Sequence, residues 1–154
     1  MSGLVLLAHG SPDPRHARDV DVLAERVRRA RPERSVSTAY LTHDAPSPRD
    51  VRIGRDGSVL IVPVLLARAR HMQVDVPEAA RLIAARTTGL VTAAGALGPH
   101  PLVLAGVGQL LRRGGVQPGP STAVVLCAAG STDGAASAML GATLRDSPPP
   151  QGWG

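Results

Sequence analysis

The stretch Leu4-Val5-Leu6-Leu7-Ala8-His9-Gly10-Ser11-Pro12-Asp13 decides the fold. An unbroken apolar run that stops at a glycine turn reads as a strand buried on both faces, which is the mark of a parallel sheet rather than of a half-exposed antiparallel one. Just beyond the Pro-Asp-Pro turn, Val20, Leu23, Ala24 and Val27 recur at helical spacing while Arg and Asp fill the other face. Strand, glycine turn and amphipathic helix in that order make the first half of a βαβ unit.

The same alternation continues along the chain. Ser35 to Leu41 and Val59 to Leu66 read as the second and third strands, and Leu90 to Ala94 as the fourth. Between the second and third, residues 45 to 57 hold two prolines and two glycines, so only a short or eroded helix is expected there. Asp75 reads as the cap of a helix with Pro77 in its first turn and Ala79, Ala80 and Ile83 on its apolar side. Pro101 opens another helix, closed by Arg112-Arg113 and Gly114-Gly115. The expected fold is α/β, an open and mostly parallel four-stranded sheet, doubly wound with helices on both faces.

A partial repeat follows. Val124-Val125-Leu126-Cys127-Ala128-Ala129-Gly130-Ser131-Thr132-Asp133 matches residues 4 to 13 at a constant offset, with Ala129 in the place of His9. The expected organisation is a lobe over 1–118 and an incomplete second repeat over 119–154, with a strand at 123–128, a helix at 135–145 and a mobile tail. Either the repeat is cut short or it has decayed.

Composition narrows the function. The chain has 154 residues, 44% hydrophobic and 1% aromatic, with a net charge of +5. All 17 basic residues are arginine, a bias that a GC-rich genome explains. They form no stripe and have no aromatic stacking partners, which argues against nucleic acid. Arginine forks suit carboxylates, so an acidic small molecule is a natural partner. No apolar run reaches the ~20 residues of a membrane span and no basic leader precedes the first strand, which reads as a cytoplasmic protein without a membrane partner. Cys127, the single cysteine, has no cysteine partner and reads as core filler.

Ligands of open parallel sheets bind at the carboxyl ends of the strands. His9, His43, His71 and His100 fall just there, after strands one to four, while His16 lies on a helix. Imidazole is the commonest side-chain ligand of first-row metals and titrates near neutral pH. His9 and His71 are the strongest candidates for holding a divalent ion. Ser11 could donate to a carboxylate, Arg68 and Arg70 could clamp one, and His100 could either act directly or simply begin its helix.

These residues carry a resemblance. Leu4 to Ser11, Ala39-Tyr40-Leu41 with Pro46-Ser47, Val62 to Leu66, His71-Met72-Gln73-Val74-Asp75-Val76-Pro77 and Leu97-Gly98-Pro99-His100-Pro101, in that order, resemble the sirohydrochlorin chelatases, the small class II chelatases of cobalamin and siroheme synthesis. The resemblance implies that His9 and His71 bind the incoming metal and that His9 accepts a proton. It also implies that Leu66, Ala67, Arg68, Ala69 and Arg70 line the tetrapyrrole site; Ser11, Ala45 and His100 are taken as further candidate substrate contacts. Thr42 and Ala45 stand where the family often has acidic residues, with His43 and Asp44 as possible substitutes. The metal, Co2+ before Ni2+ or Fe2+, is then a substrate, no organic cofactor is required, and the chain works as a homodimer. The alternative is a binder of metal or tetrapyrrole that no longer inserts one into the other. A histidine phosphatase wants Arg before its histidine, and Ala8 stands there. No phosphate-cradling Gly-x-Gly-x-x-Gly is present either.

Overall fold

The computed structural model describes residues 3–66, 70–119, 122–127 and 134–146. By its internal contacts the chain divides into two units, Met1–Leu97 and Gly98–Gly154. The division falls ahead of the helix opened by Pro101, not at the Gly- and Pro-rich linker where composition alone drew the boundary at 118.

The first unit runs β1 (Gly3–Ala8), α1 (Pro14–Ala30), β2 (Ser35–Tyr40), β3 (Val59–Pro63), α2 (Arg70–Gln73), α3 (Asp75–Ala84) and β4 (Val91–Ala93). All pairings are parallel and the strand order is β2-β1-β3-β4, so the expected α/β sheet is present. β1 lies at the centre, with Leu7 beside Ala39 on one flank and Pro63 on the other.

Side-chain alternation along β1 explains why its sequence is apolar throughout. Val5 and Leu7 point to one face, where they pack with Val59, Ile61, Val76, Ala79 and Ile83. Leu6 points to the other and packs with Val36, Ala24, Leu23 and Val27. α3 thus covers one face and α1 the other. Asp13 caps α1, its carboxylate accepting from the Arg15 N–H, with Pro14 opening the helix and Arg28 and Arg29 in its last turn.

The connection from β2 to β3 forms no helix, only turns at residues 48–50 and 55–56. The eroded helix expected there is replaced by side-chain support. The Val51 carbonyl accepts from Arg86 Nη1 at 2.6 Å, the Arg52 carbonyl from Ser37 Oγ at 2.8 Å and the Arg55 carbonyl from Thr87 Oγ1 at 2.7 Å. Val51 itself is fully buried. Backbone groups that a helix would have paired internally are satisfied from outside, which leaves the segment free to follow the sheet surface.

The second unit holds α4 (Pro101–Arg113) and α5 (Gly134–Asp146), the latter one residue longer at each end than expected. The strand expected at 123–128 does not form over the described residues 122–127. Val125 is 83% exposed, and Cys127 is exposed rather than core filler. The reason is tertiary: among the described residues, no strand pairs with this run, and an unpaired apolar run has no ladder to hold it. The tail at 147–154 and Ala129 lie outside the described residues. No described helix is long and apolar enough to cross a membrane.

Candidate functional site

The order β2-β1-β3-β4 has its switch point between β1 and β3, from which the chain leaves in opposite directions. Loops that part at such a point leave a crevice at the carboxyl end of the sheet. His9 follows β1 directly, and His71 sits in α2 beyond β3. Their rings meet there, with centroids 4.7 Å apart and planes at 72°.

Each imidazole is oriented by a partner on Nδ1. His9 Nδ1 lies 2.9 Å from the Gly10 carbonyl, and His71 Nδ1 lies 2.5 Å from Asp75 Oδ2. A carbonyl and a carboxylate only accept, so both rings donate from Nδ1 and keep the Nε2 lone pair for another purpose. Two Nε2 lone pairs on neighbouring rings could serve a divalent cation, and a carboxylate behind one imidazole makes that ring the stronger donor. Among the described residues no group of three or more His, Cys, Asp or Glu side chains is placed to hold a metal. Within these residues the pair could supply two nitrogen ligands to a divalent ion.

The backbone fixes His9 with equal care. Its carbonyl accepts the Thr42 N–H at 2.8 Å and Thr42 Oγ1 at 3.1 Å, joining the loops after β1 and β2. Gly10 has φ +91°, and a Cβ there would stand 1.7 Å from the Thr42 carbonyl oxygen. Only glycine fits. Ser11 N–H donates to Asp44 Oδ2 at 3.0 Å, and the same oxygen lies 3.7 Å from His16 Nδ1.

A cleft of about 360 Å³ opens on the pair, lined by His9, Leu41, Thr42, Arg49, His71 and Asp75 among others. His71, Asp75, Glu78, Ala79 and Leu82 form its helical wall at the spacing of one helix face. Glu78 is bound by Arg81 through two hydrogen bonds of 2.8 and 2.7 Å. Those bonds hold its carboxyl below the usual carboxylate range, with a smaller pull in the same direction from Arg49.

The other expected site residues fare unequally. Ser11 Oγ accepts the Asp13 N–H at 3.1 Å, which makes it part of the turn rather than of the cleft wall. Ala45 lines a separate depression with Arg28, Ser37 and Arg52, because the chain turns away between Thr42 and Ser47. Leu66 is 63% exposed and is not among the residues lining the cleft. His100 caps α4, its Nδ1 accepting the Leu102 N–H at 3.1 Å; that lone pair is spent, so the helix-opening reading holds. His43 takes φ +61° at an exposed loop position. Ala67, Arg68 and Ala69, and the side chain of Arg70, lie outside the described residues.

Asp75 is the correction that matters. Read as a helix cap, it stands inside α3, where Val74 occupies the cap position, and its carboxylate serves His71. The spacing His71 to Asp75, one helical turn, was the available signal. Arg49 and Glu78 were missed because nothing local in their sequence separates them from ordinary surface residues, while Thr42, noted only as standing at a position the family often fills with an acid, lines the cleft.

A family model described as CbiX matches residues 3–113. The chain belongs to the CbiX family. A sirohydrochlorin cobaltochelatase of Methanococcoides burtonii is 25% identical over 97 residues, covering 60% of this chain and 74% of that protein. Among solved structures, a cobalamin (vitamin B12) biosynthesis CbiX protein from Marinobacter aquaeolei VT8 is similar with a TM-score of 0.57 and 24% identity, over 74% of this chain and 97% of that one. That likeness speaks for the fold. The CbiX match takes in β1, α1, β2, β3, α2, α3, β4 and α4, and stops short of residues 124–133.

Proposed function

We propose that this chain is a metal chelatase, a lyase that inserts a divalent metal, Co2+ before Ni2+ or Fe2+, into sirohydrochlorin or a related acidic tetrapyrrole. The observation that carries the reading is the pair of facing imidazoles at the switch point, both held through Nδ1. Family membership and the cobaltochelatase relative supply the substrate class.

Insertion requires the metal to shed waters and the macrocycle to lose two pyrrole N–H protons. His71, backed by the Asp75 carboxylate, is the stronger cation ligand and serves as the anchor. His9, backed only by a neutral carbonyl, lets go first. Its freed Nε2 then takes one pyrrole proton while the second passes to solvent water at the cleft mouth, so one ring acts as ligand early and as base late. Both imidazoles leave open coordination positions through which the macrocycle nitrogens can approach the ion.

The test is an anaerobic absorbance assay of sirohydrochlorin with Co2+, Ni2+ and Fe2+, run beside His9→Ala, His71→Ala and Asp75→Asn. Insertion should depend on both histidines, and Asp75→Asn should weaken Co2+ binding by about tenfold or more. Insertion that survives His9→Ala together with His71→Ala would end the reading. Metal binding by both rings without insertion would leave a metal-binding protein built on the chelatase fold.

A further inference from the structure

We propose that Arg49 is the anion-binding residue of the cleft, gripping one peripheral carboxylate of the tetrapyrrole while the histidine pair holds the metal; this rests on the tetrapyrrole reading above. Arg49 lines the same cleft as His9 and His71, but from the loop after β2 rather than from α2 or α3. Its backbone is firmly seated. Ser47 Oγ accepts the Arg49 N–H at 3.2 Å, the Ser47 carbonyl accepts from Asp50 N at 2.9 Å and Val51 N at 3.0 Å, and Pro48 is buried.

Its head group is not committed. Among the described residues the Arg49 guanidinium has no hydrogen-bond or ion-pair partner, and the side chain is exposed. Both acids that line the cleft are already engaged, Asp75 with His71 and Glu78 with Arg81. A fixed base and a planar fork with no hydrogen-bonded acid, drawn only by the charge of the Arg81-bound Glu78, make a receptor for a carboxylate from outside. Charge points the same way. A cation on His9 and His71 adds to that of Arg49, so a neutral or cationic ligand would leave the cleft uncompensated, whereas a ring bearing acetates and propionates would neutralise it. Ala45, taken from the sequence as a candidate substrate contact, offers no side-chain donor and lines a different depression.

The experiment is a fluorescence titration of metal-free sirohydrochlorin into the full chain and into Arg49→Ala, Arg49→Lys and Arg49→Glu. Co2+ binding is titrated separately, and circular dichroism verifies the fold. Arg49→Ala should weaken tetrapyrrole binding about tenfold or more, Arg49→Lys should restore part of it, and Arg49→Glu should bind weakest, with Co2+ affinity retained in Arg49→Ala. Equal affinity of the unaltered chain and Arg49→Ala would overturn the proposal. If the unaltered chain binds through Arg49 yet inserts no metal, the anion site stands and the chelatase reading falls. If it does not bind sirohydrochlorin at all, both fall.

Discussion

Leu4–Leu7 and Val124–Cys127 are both short apolar runs followed, at the same offset, by the sequence Ala-X-Gly-Ser, yet they end in different states. The first is the central strand of the sheet, with Val5 and Leu7 fully buried; the second forms no strand, and Val125 is 83% exposed. The difference lies in what surrounds each run. β1 has β2 and β3 as parallel neighbours and helices on both faces, while among the described residues the later run has no ladder at all. A strand is a property of its partners as much as of its letters.

The sharpest way to probe this comparison is to make the first copy more like the second at the residue that separates them chemically. His9→Ala installs the residue that the repeat carries at position 129. Metal insertion should fall by a hundredfold or more, on the order of losing a positioned base together with a metal ligand. The fold should survive, because His9 is only partly buried and its structural bonds are made by its backbone. Activity is read by absorbance and stability by thermal melting. Retained insertion would mean that the histidine is not what distinguishes the copies.

Packing offers the next contrast. Leu7 and Cys127 occupy equivalent positions, one fully buried and the other exposed. Leu7→Ala should cost about 2–5 kcal/mol in denaturant unfolding. Cys127→Ala should stay within about 0.5 kcal/mol. Comparable losses at both positions would show that the second run is packed in solution and would restore its reading as a strand.

The turn gives a third. Gly10→Ala meets the Thr42 carbonyl and a backbone at φ +91°, so the loop must move. A destabilisation of about 1–3 kcal/mol is expected, together with lost activity, because the Thr42 bonds that hold the His9 carbonyl sit on the far side of that contact. A variant with unchanged melting and full turnover would show that the two loops are not rigidly joined.

These contrasts also explain what could be read in advance. β1, β2 and the switch-point histidines were legible because a two-faced strand needs a continuous apolar run, and because loops at strand ends carry ligands whatever the details of packing. α1 was legible from its period and its Asp13-Pro14 opening. What escaped were features set by rotation and contact. Whether Asp75 caps a helix or serves His71 depends on where α3 begins, and a shift of one residue changes its role. Arg49 becomes a cleft residue only because the loop after β2 bends between Thr42 and Ser47. The strand at 123–128 was expected for the converse reason: its letters are right for a strand, but among the described residues no strand pairs with it.

The smallest effect concerns the first turn and pH. Asp13 caps α1 and is bound by Arg15, which holds its carboxyl below the usual 3.8, with the Arg15 side-chain bond as the largest cause. A depressed folded value means that the unfolded chain takes up the proton first. The stabilisation is therefore complete above the unfolded value and is lost as pH falls from there through the folded one. Asp13→Asn still caps the helix but cannot titrate. Between pH 7 and 5 the two proteins should melt with a constant difference; on going to pH 3 the unaltered chain should lose more of its melting temperature than the variant, by a modest margin because the pair faces solvent. Parallel acid limbs would place the Asp13–Arg15 pair among surface contacts of no consequence.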